Sequence, residues 1–369
     1  MSLNIPDERL PKKESFAFPC PTCKAMIEID LRPRPAEPPQ RPFGAPATPR
    51  PEAGKGAGMT GWPGTAQRRE APGPVEAAPA AGGLPSGEKL MKMILQSAKD
   101  LPPMPQTTIK AHKIIKDPNA SFEDLASVME MDQAIATRVL RMANSSYYGM
   151  SGNVSSIKHA STILGLKVLE ELIVMAWSTK ALASRMQGYE LETGDLWQHS
   201  LGVAFGSKII ATSKNPGLAN DAFSAGLIHD VGKLVLDPYV LERKEAFTAF
   251  LAERKETFLN AEKGILGFDH AEIAAELCTN WKVPEALATA IRYHHAPAAS
   301  SGNQLAYIVH MADVIALMSG MGAGVDGMQY CMDQEAMTKL GMTSDDMSSV
   351  MLQVVEAVQT ISADMQQQV

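Results

Sequence analysis

A chain of 369 residues is too long for one ordinary helical domain and short enough for one domain with a tail, or two small ones. Its 45% hydrophobic and 20% charged content suits a soluble globular protein, and a net charge of −7 with no basic stripe argues against nucleic acid as a direct partner. No apolar run is long enough to cross a bilayer, and the opening MSLNIPDERLPKKESF lacks the apolar core of a signal peptide, so a cytoplasmic protein without membrane attachment is expected.

In chain order, residues 1–31 contain FAFPCPTCKAMIEIDL, where Met26, Glu28 and Asp30 alternate with Ile27, Ile29 and Leu31, a strand signal. Cys20 and Cys23 form a CxxC pair; Cys278 and Cys331 are far away, so no disulfide framework is expected. Residues 32–88 are dominated by Pro, Ala and Gly. Such a stretch cannot bury enough apolar area to offset its ordering entropy, which predicts a disordered linker.

From there to the end the pattern is helical, dividing into a domain over 89–320 and a helical extension over 321–369 packed on it. Asp117-Pro118 stops one helix, and Ser121 with Asp124 forms a capping box for the next, whose Leu125, Val128 and Met129 share a face. Val139, Leu140 and Met142 are core candidates of the helix after it. A long apolar helical stretch follows, interrupted only at Gly165, and Thr343 with Asp346 opens the last helix. The 22 Met residues fall mostly at helical core spacing and read as adaptable filler.

Most of the 8 His residues belong to one series with carboxylates: Asp195, His199, His229-Asp230, His270, His294-His295 and Asp313. Imidazole and carboxylate together select a divalent metal such as Fe, Mn, Ni or Zn. Asp195 and His199, four apart, share one helix face. Adjacent helical side chains such as His229 and Asp230 diverge by about 100°, yet one ion between them reaches both. Lys233 lies three residues beyond Asp230, where it could hold a phosphate oxygen beside the metal. The set suffices for one ion or two, and a pair about 3.5–4 Å apart could activate water on a phosphodiester. Plainer readings stand beside this one. Asp195, His294 and His295 could serve helix dipoles, Lys233 could be solvated, and His112, His159 and His310 read as hydrogen-bonded core residues rather than ligands.

The series H…HD…D resembles the HD superfamily of metal-dependent phosphohydrolases. HDVGK at 229–233, His270, His294-His295 and Asp313 are similar to the metal set of its cyclic dinucleotide phosphodiesterases, the HD-GYP branch, with Asp195 where a Glu would stand. The GYP segment is missing after HDVGK. The likeness to the HDOD branch is broader. LPPMPQT, IIKDPNASFEDLASVMEMDQAIATRVLRMANSSYYG and SSIKHASTILGLKVLEEL resemble its front half, and WQHSLGVA, AGLIHDVGKLVL and HAEIAAELCTNWKVPEALATAIRYHHAP its back half. That resemblance implies an all-α, multi-helix bundle and a bacterial signal-transduction module. Such a module acts through regulatory protein partners, a ligand such as a cyclic dinucleotide or phosphate, or a second copy of the chain. The alternative is a phosphohydrolase acting on a nucleotide or cyclic dinucleotide, its chemistry resting on Asp230 and Lys233. The FPCPTCKAMIEID segment resembles half of a zinc ribbon. It reads as a zinc site shared between two chains, a metal-free stub, or a redox pair, because structural zinc takes four ligands and Cys20 and Cys23 are two.

Overall fold

The computed structural model describes residues 15–19, 26–30, 84–97 and, with short gaps, 110–366. The chain divides into two units, Met1–Pro74 and Val75–Val369. In the first, β1 (Ser15–Pro19) pairs antiparallel with β2 (Met26–Asp30), with Ser15 opposite Asp30 and Pro19 opposite Met26. The alternation at 26–31 anticipates β2; SFAFP is too short a pattern to announce β1. Cys20, Cys23, His112, Cys331 and the expected linker as far as residue 83 lie outside the described residues.

The described residues of the second unit are mainly helical, with one isolated bridge between Met186 and Leu191. It begins with α1 (Gly87–Ser97), which buries Leu90 and Ile94. A layer of α2 (Phe122–Glu130), α3 (Gln133–Ala143) and α4 (Ile157–Ala181) follows. The Ser121–Asp124 box forms as expected: the Asp124 carboxylate accepts from Ser121 N at 2.9 Å, and Ser121 Oγ accepts from Asp124 N at 3.1 Å. The chain leaves helical geometry inside α4 at Gly165, whose φ of 78° suits only a residue without Cβ.

The remaining helices are α5 (Asp195–Lys214), α6 (Ala219–Ile228), α7 (Val231–Glu242), α8 (Lys244–Arg254), α9 (Phe258–Leu266), α10 (His270–Asn280), α11 (Glu285–Arg292), α12 (Gln304–Met318), α13 (Gln334–Leu340) and α14 (Ser344–Gln366). Two of them, α5 and α12, are apolar around most of their circumference and bury long runs, Leu201–Ser207 and Leu305–Ala316. A helix of that kind belongs in the centre of a bundle, and α5 packs against α6, α12 and α14. Small residues set the spacing: a Cβ on Gly206 of α5 would come within 3.1 Å of Ala312 on α12. That close approach brings His199, two turns earlier on α5, alongside Asp313. Among the described residues, no helix is long and apolar enough to cross a membrane.

Candidate metal centre

Helix ends deliver most of the His/Asp series to one point. His199 stands in the first turns of α5 and Asp313 in the middle of α12. His229 follows the last residue of α6, and Asp230 is the N-cap position of α7. The His-Asp pair thus occupies a junction between helices instead of adjacent positions along one helix. His270 is the first residue of α10, and His294 and His295 lie just beyond α11. Gly232 makes the junction fit: a Cβ there would fall 2.0 Å from the His270 carbonyl oxygen. Only glycine lets α7 press against the start of α10 and bring Asp230 Oδ1 to 3.3 Å from His270 Nε2.

Four of the five imidazoles in the series use Nδ1 for a structural bond. His199 bonds the Met321 carbonyl at 3.2 Å, His229 that of Gly226 at 2.7 Å, and His294 that of Ile291 at 2.6 Å. His270 Nδ1 donates to the Glu262 carboxylate at 2.8 Å. Donation from Nδ1 leaves Nε2 as the ligating nitrogen, the arrangement metal-binding histidines adopt. Those Nε2 atoms all face carboxylates. His199 Nε2 is 3.2 Å from Asp313 Oδ1, His229 Nε2 is 3.4 Å from Asp230 Oδ2, and His294 Nε2 is 3.8 Å from Asp230 Oδ1. His270 Nε2 and His295 Nε2 are 2.8 Å apart.

Acceptors facing acceptors in a buried interior call for a cation, a proton or a bound water between them. His229 Nε2, Asp230 Oδ1 and His294 Nε2 are buried and have no hydrogen-bond partner among the described residues. Three sets of donor atoms each lie within 4.8 Å of one another: Asp230 with His270, His294 and His295; His199 with His229 and Asp230; and His229 with His294 and Asp313. Asp230, His229 and His294 each belong to two sets, and of these only the Asp230 carboxylate has two oxygens to offer. The donors are all nitrogen and carboxylate oxygen, a fit for a borderline divalent metal.

Protons do part of this work in the metal-free chain. Burial would lower His229, but the neighbouring Asp230 carboxylate raises it. Burial likewise opposes charge on His270, yet Glu262 lifts it to about 9. His294 is pushed down to about 3 by burial and by His229, and His295 is pushed well below its ordinary value for similar reasons. Burial works against ionised Asp230, but His229 and Lys233 hold its carboxyl well below the usual range. Lys233 Nζ pairs with Asp230 Oδ2 at 2.7 Å.

Among the expected ligands, Asp195 falls outside these sets; it is half-buried, and its carboxylate accepts from the Glu192 N–H at 2.8 Å beside the start of α5. His310 is buried and bonded through both nitrogens, donating to the His294 carbonyl at 2.7 Å and accepting from Asp333 N at 2.9 Å. It supports His294 from behind. His159 is exposed. Glu262 was not singled out from the sequence. The only local hint is a lone acidic residue in the apolar face of FLNAEKGIL.

An all-α body closing over imidazoles and carboxylates from several helix ends defines a helical protein with a candidate divalent-metal centre. The HDOD domain family matches residues 101–297, more than half of the chain, and the chain belongs to that family. An uncharacterized protein of Treponema pallidum (strain Nichols) is 26% identical over 208 residues, 56% of this chain; the chain spans 40% of that protein's length. The solved structure of an HDOD domain protein of unknown function from Geobacter sulfurreducens matches with a TM-score of 0.60 and 24% identity, covering 75% of this chain and 97% of that one. A candidate phosphohydrolase from Shewanella amazonensis SB2B matches at 0.57 and 21%, covering 73% and 97%. A candidate signal transduction protein from Marinobacter aquaeolei VT8 matches at 0.59 and 26%, covering 74% and 63%. The all-α bundle expected from the sequence is the fold these structures share.

Proposed function

We propose that this chain is a regulatory, signal-transduction module whose His/Asp centre binds a divalent metal and acts through a protein partner or a small ligand. The observation that carries this reading is burial. The side chains of His229, His270 and His294 are fully buried, those of His199, Asp230 and Asp313 are 2–4% exposed, and His295, the most open, is 7% exposed. A phosphodiester needs an open coordination position, and closed sites are the structural kind. Lys233 supports the same reading, because its ammonium is spent on Asp230. The second reading, a phosphohydrolase acting on a nucleotide or cyclic dinucleotide, is favoured by Asp230 standing in two donor sets. A shared carboxylate is how two ions are held for in-line attack on phosphorus. Zinc at Cys20 and Cys23 would need a second chain for its other two ligands, which makes a homodimer part of the proposal.

Metal analysis and turnover separate these readings. The purified chain should hold one or two divalent ions that are lost in Asp230→Ala, and should show no hydrolysis of cyclic dinucleotides or bis-p-nitrophenyl phosphate. Turnover that disappears in Asp230→Ala would make the chain an enzyme. Metal content unchanged by Cys20→Ser would remove the zinc proposal.

A further inference from the structure

We propose that Tyr189 and Glu262 are positioning residues of the metal centre, and that the turn carrying Tyr189 sets the centre's affinity for a divalent ion; this rests on the reading that the His/Asp cluster binds metal. Glu262, on α9, is fully buried. A buried carboxylate is costly unless its oxygens are satisfied. Here Oε2 accepts from His270 N at 3.0 Å and from His270 Nδ1 at 2.8 Å, and Oε1 accepts from Tyr189 OH at 2.5 Å. Those bonds fix the His270 ring so that Nε2 turns toward Asp230 and His295.

Tyr189 also reaches the other side of the site. Lys233 Nζ lies 5.7 Å from its ring centroid while pairing with Asp230 at 2.7 Å. One fully buried aromatic residue therefore touches the partners of two candidate ligands, His270 and Asp230.

The far end of this relay is anchored. Asp237 Oδ1 accepts from Gly188 N at 2.7 Å and from Tyr189 N at 3.3 Å, and the Tyr189 carbonyl accepts from Val325 N at 2.9 Å. Met186 and Leu191 exchange two backbone bonds of 2.9 Å around the turn. Between them Glu190 takes φ 55°, left-handed geometry that a residue with a side chain adopts only when its surroundings impose it. Its carboxylate meets Lys244 at 2.9 Å. A bonded path thus runs from a surface turn through Tyr189 and Glu262 to the His270 ring.

The test uses the full-length chain stripped of metal and titrated with Co²⁺, whose visible bands report ligand geometry. Tyr189→Phe and Glu262→Gln should bind Co²⁺ about 10–100-fold more weakly than wild type, the range for outer-shell partners of metal ligands. Both should shift the visible bands. Tyr189→Phe deletes one hydroxyl, keeps the ring and decides the matter if Glu262→Gln does not fold. Wild-type affinity and unshifted bands in both variants would overturn the relay. A wild type that binds no Co²⁺, or a His270→Ala variant that binds as tightly as wild type, would instead overturn the metal reading beneath it.

Discussion

His270 donates from Nδ1 to a fully buried carboxylate, and its Nε2 points at the other candidate ligands. In the metal-free chain the Glu262 contact outweighs burial and raises this ring from an ordinary 6.5 to about 9. The sign follows directly. The pairing stabilises the metal-free fold most below pH 6.5 and is lost as pH rises through about 9. Metal binding runs the other way, because a ligating Nε2 must shed its proton. Metal uptake at neutral pH should therefore release at least one proton, visible as binding enthalpies that vary with the ionisation enthalpy of the buffer. Affinity should weaken on acidification by about tenfold per pH unit for each proton displaced. Buffer-independent enthalpies would mean that His270 does not ligate. The eight histidines look alike in the sequence, and surroundings separate their roles. His310 has partners on both nitrogens, whereas His294 Nε2 has none among the described residues. Glu262 stayed hidden because its partners, His270 and Tyr189, lie 8 and 73 positions away.

Helix starts carry much of the site's precision. Asp269 caps α10, its carboxylate accepting from Glu272 N at 2.7 Å and pairing with Lys263 at 3.0 Å, and His270 is the next residue. Ser121 caps α2 in the same manner. Asp269→Ala and Ser121→Ala should each cost about 1 kcal/mol in thermal unfolding. Only Asp269→Ala should speed metal loss to a chelator, because only that cap orients a ligand. Equal retention in both variants would show that the start of α10 is held by its packing alone. The Ser121 cap was legible in the sequence, as was the one opening α14, where Thr343 and Asp346 exchange bonds of 2.9 and 3.1 Å; the Asp269 cap was not singled out. They are local, three residues apart, and so is the interruption at Gly165. The junction between α6 and α7 was not legible, because GLIHDVGKL has helical periodicity on both sides and the break is imposed by the approach of α10 to Gly232.

At the scale of the whole molecule, one buried cysteine reports on the integrity of the helical core. Cys278 on α10 is fully buried, and burial pushes its thiol up to about 12. Thiolate is the reactive form, so Cys278 should resist iodoacetamide at neutral pH until the core unfolds, with peptide mass spectrometry distinguishing it from the other three cysteines. Protection should persist after treatment with a chelator; rapid labelling of Cys278 in the metal-free chain would show that the ion holds the bundle together. Persistence is expected because of Lys233. Its ammonium on Asp230 is a counter-ion tethered to the chain, at a local concentration that no free ion matches. A lone buried carboxylate would strain the fold, but this one is never without a cation. An incoming metal must compete with that tether, so occupancy follows how much metal the surroundings supply, and folding is relieved of the choice.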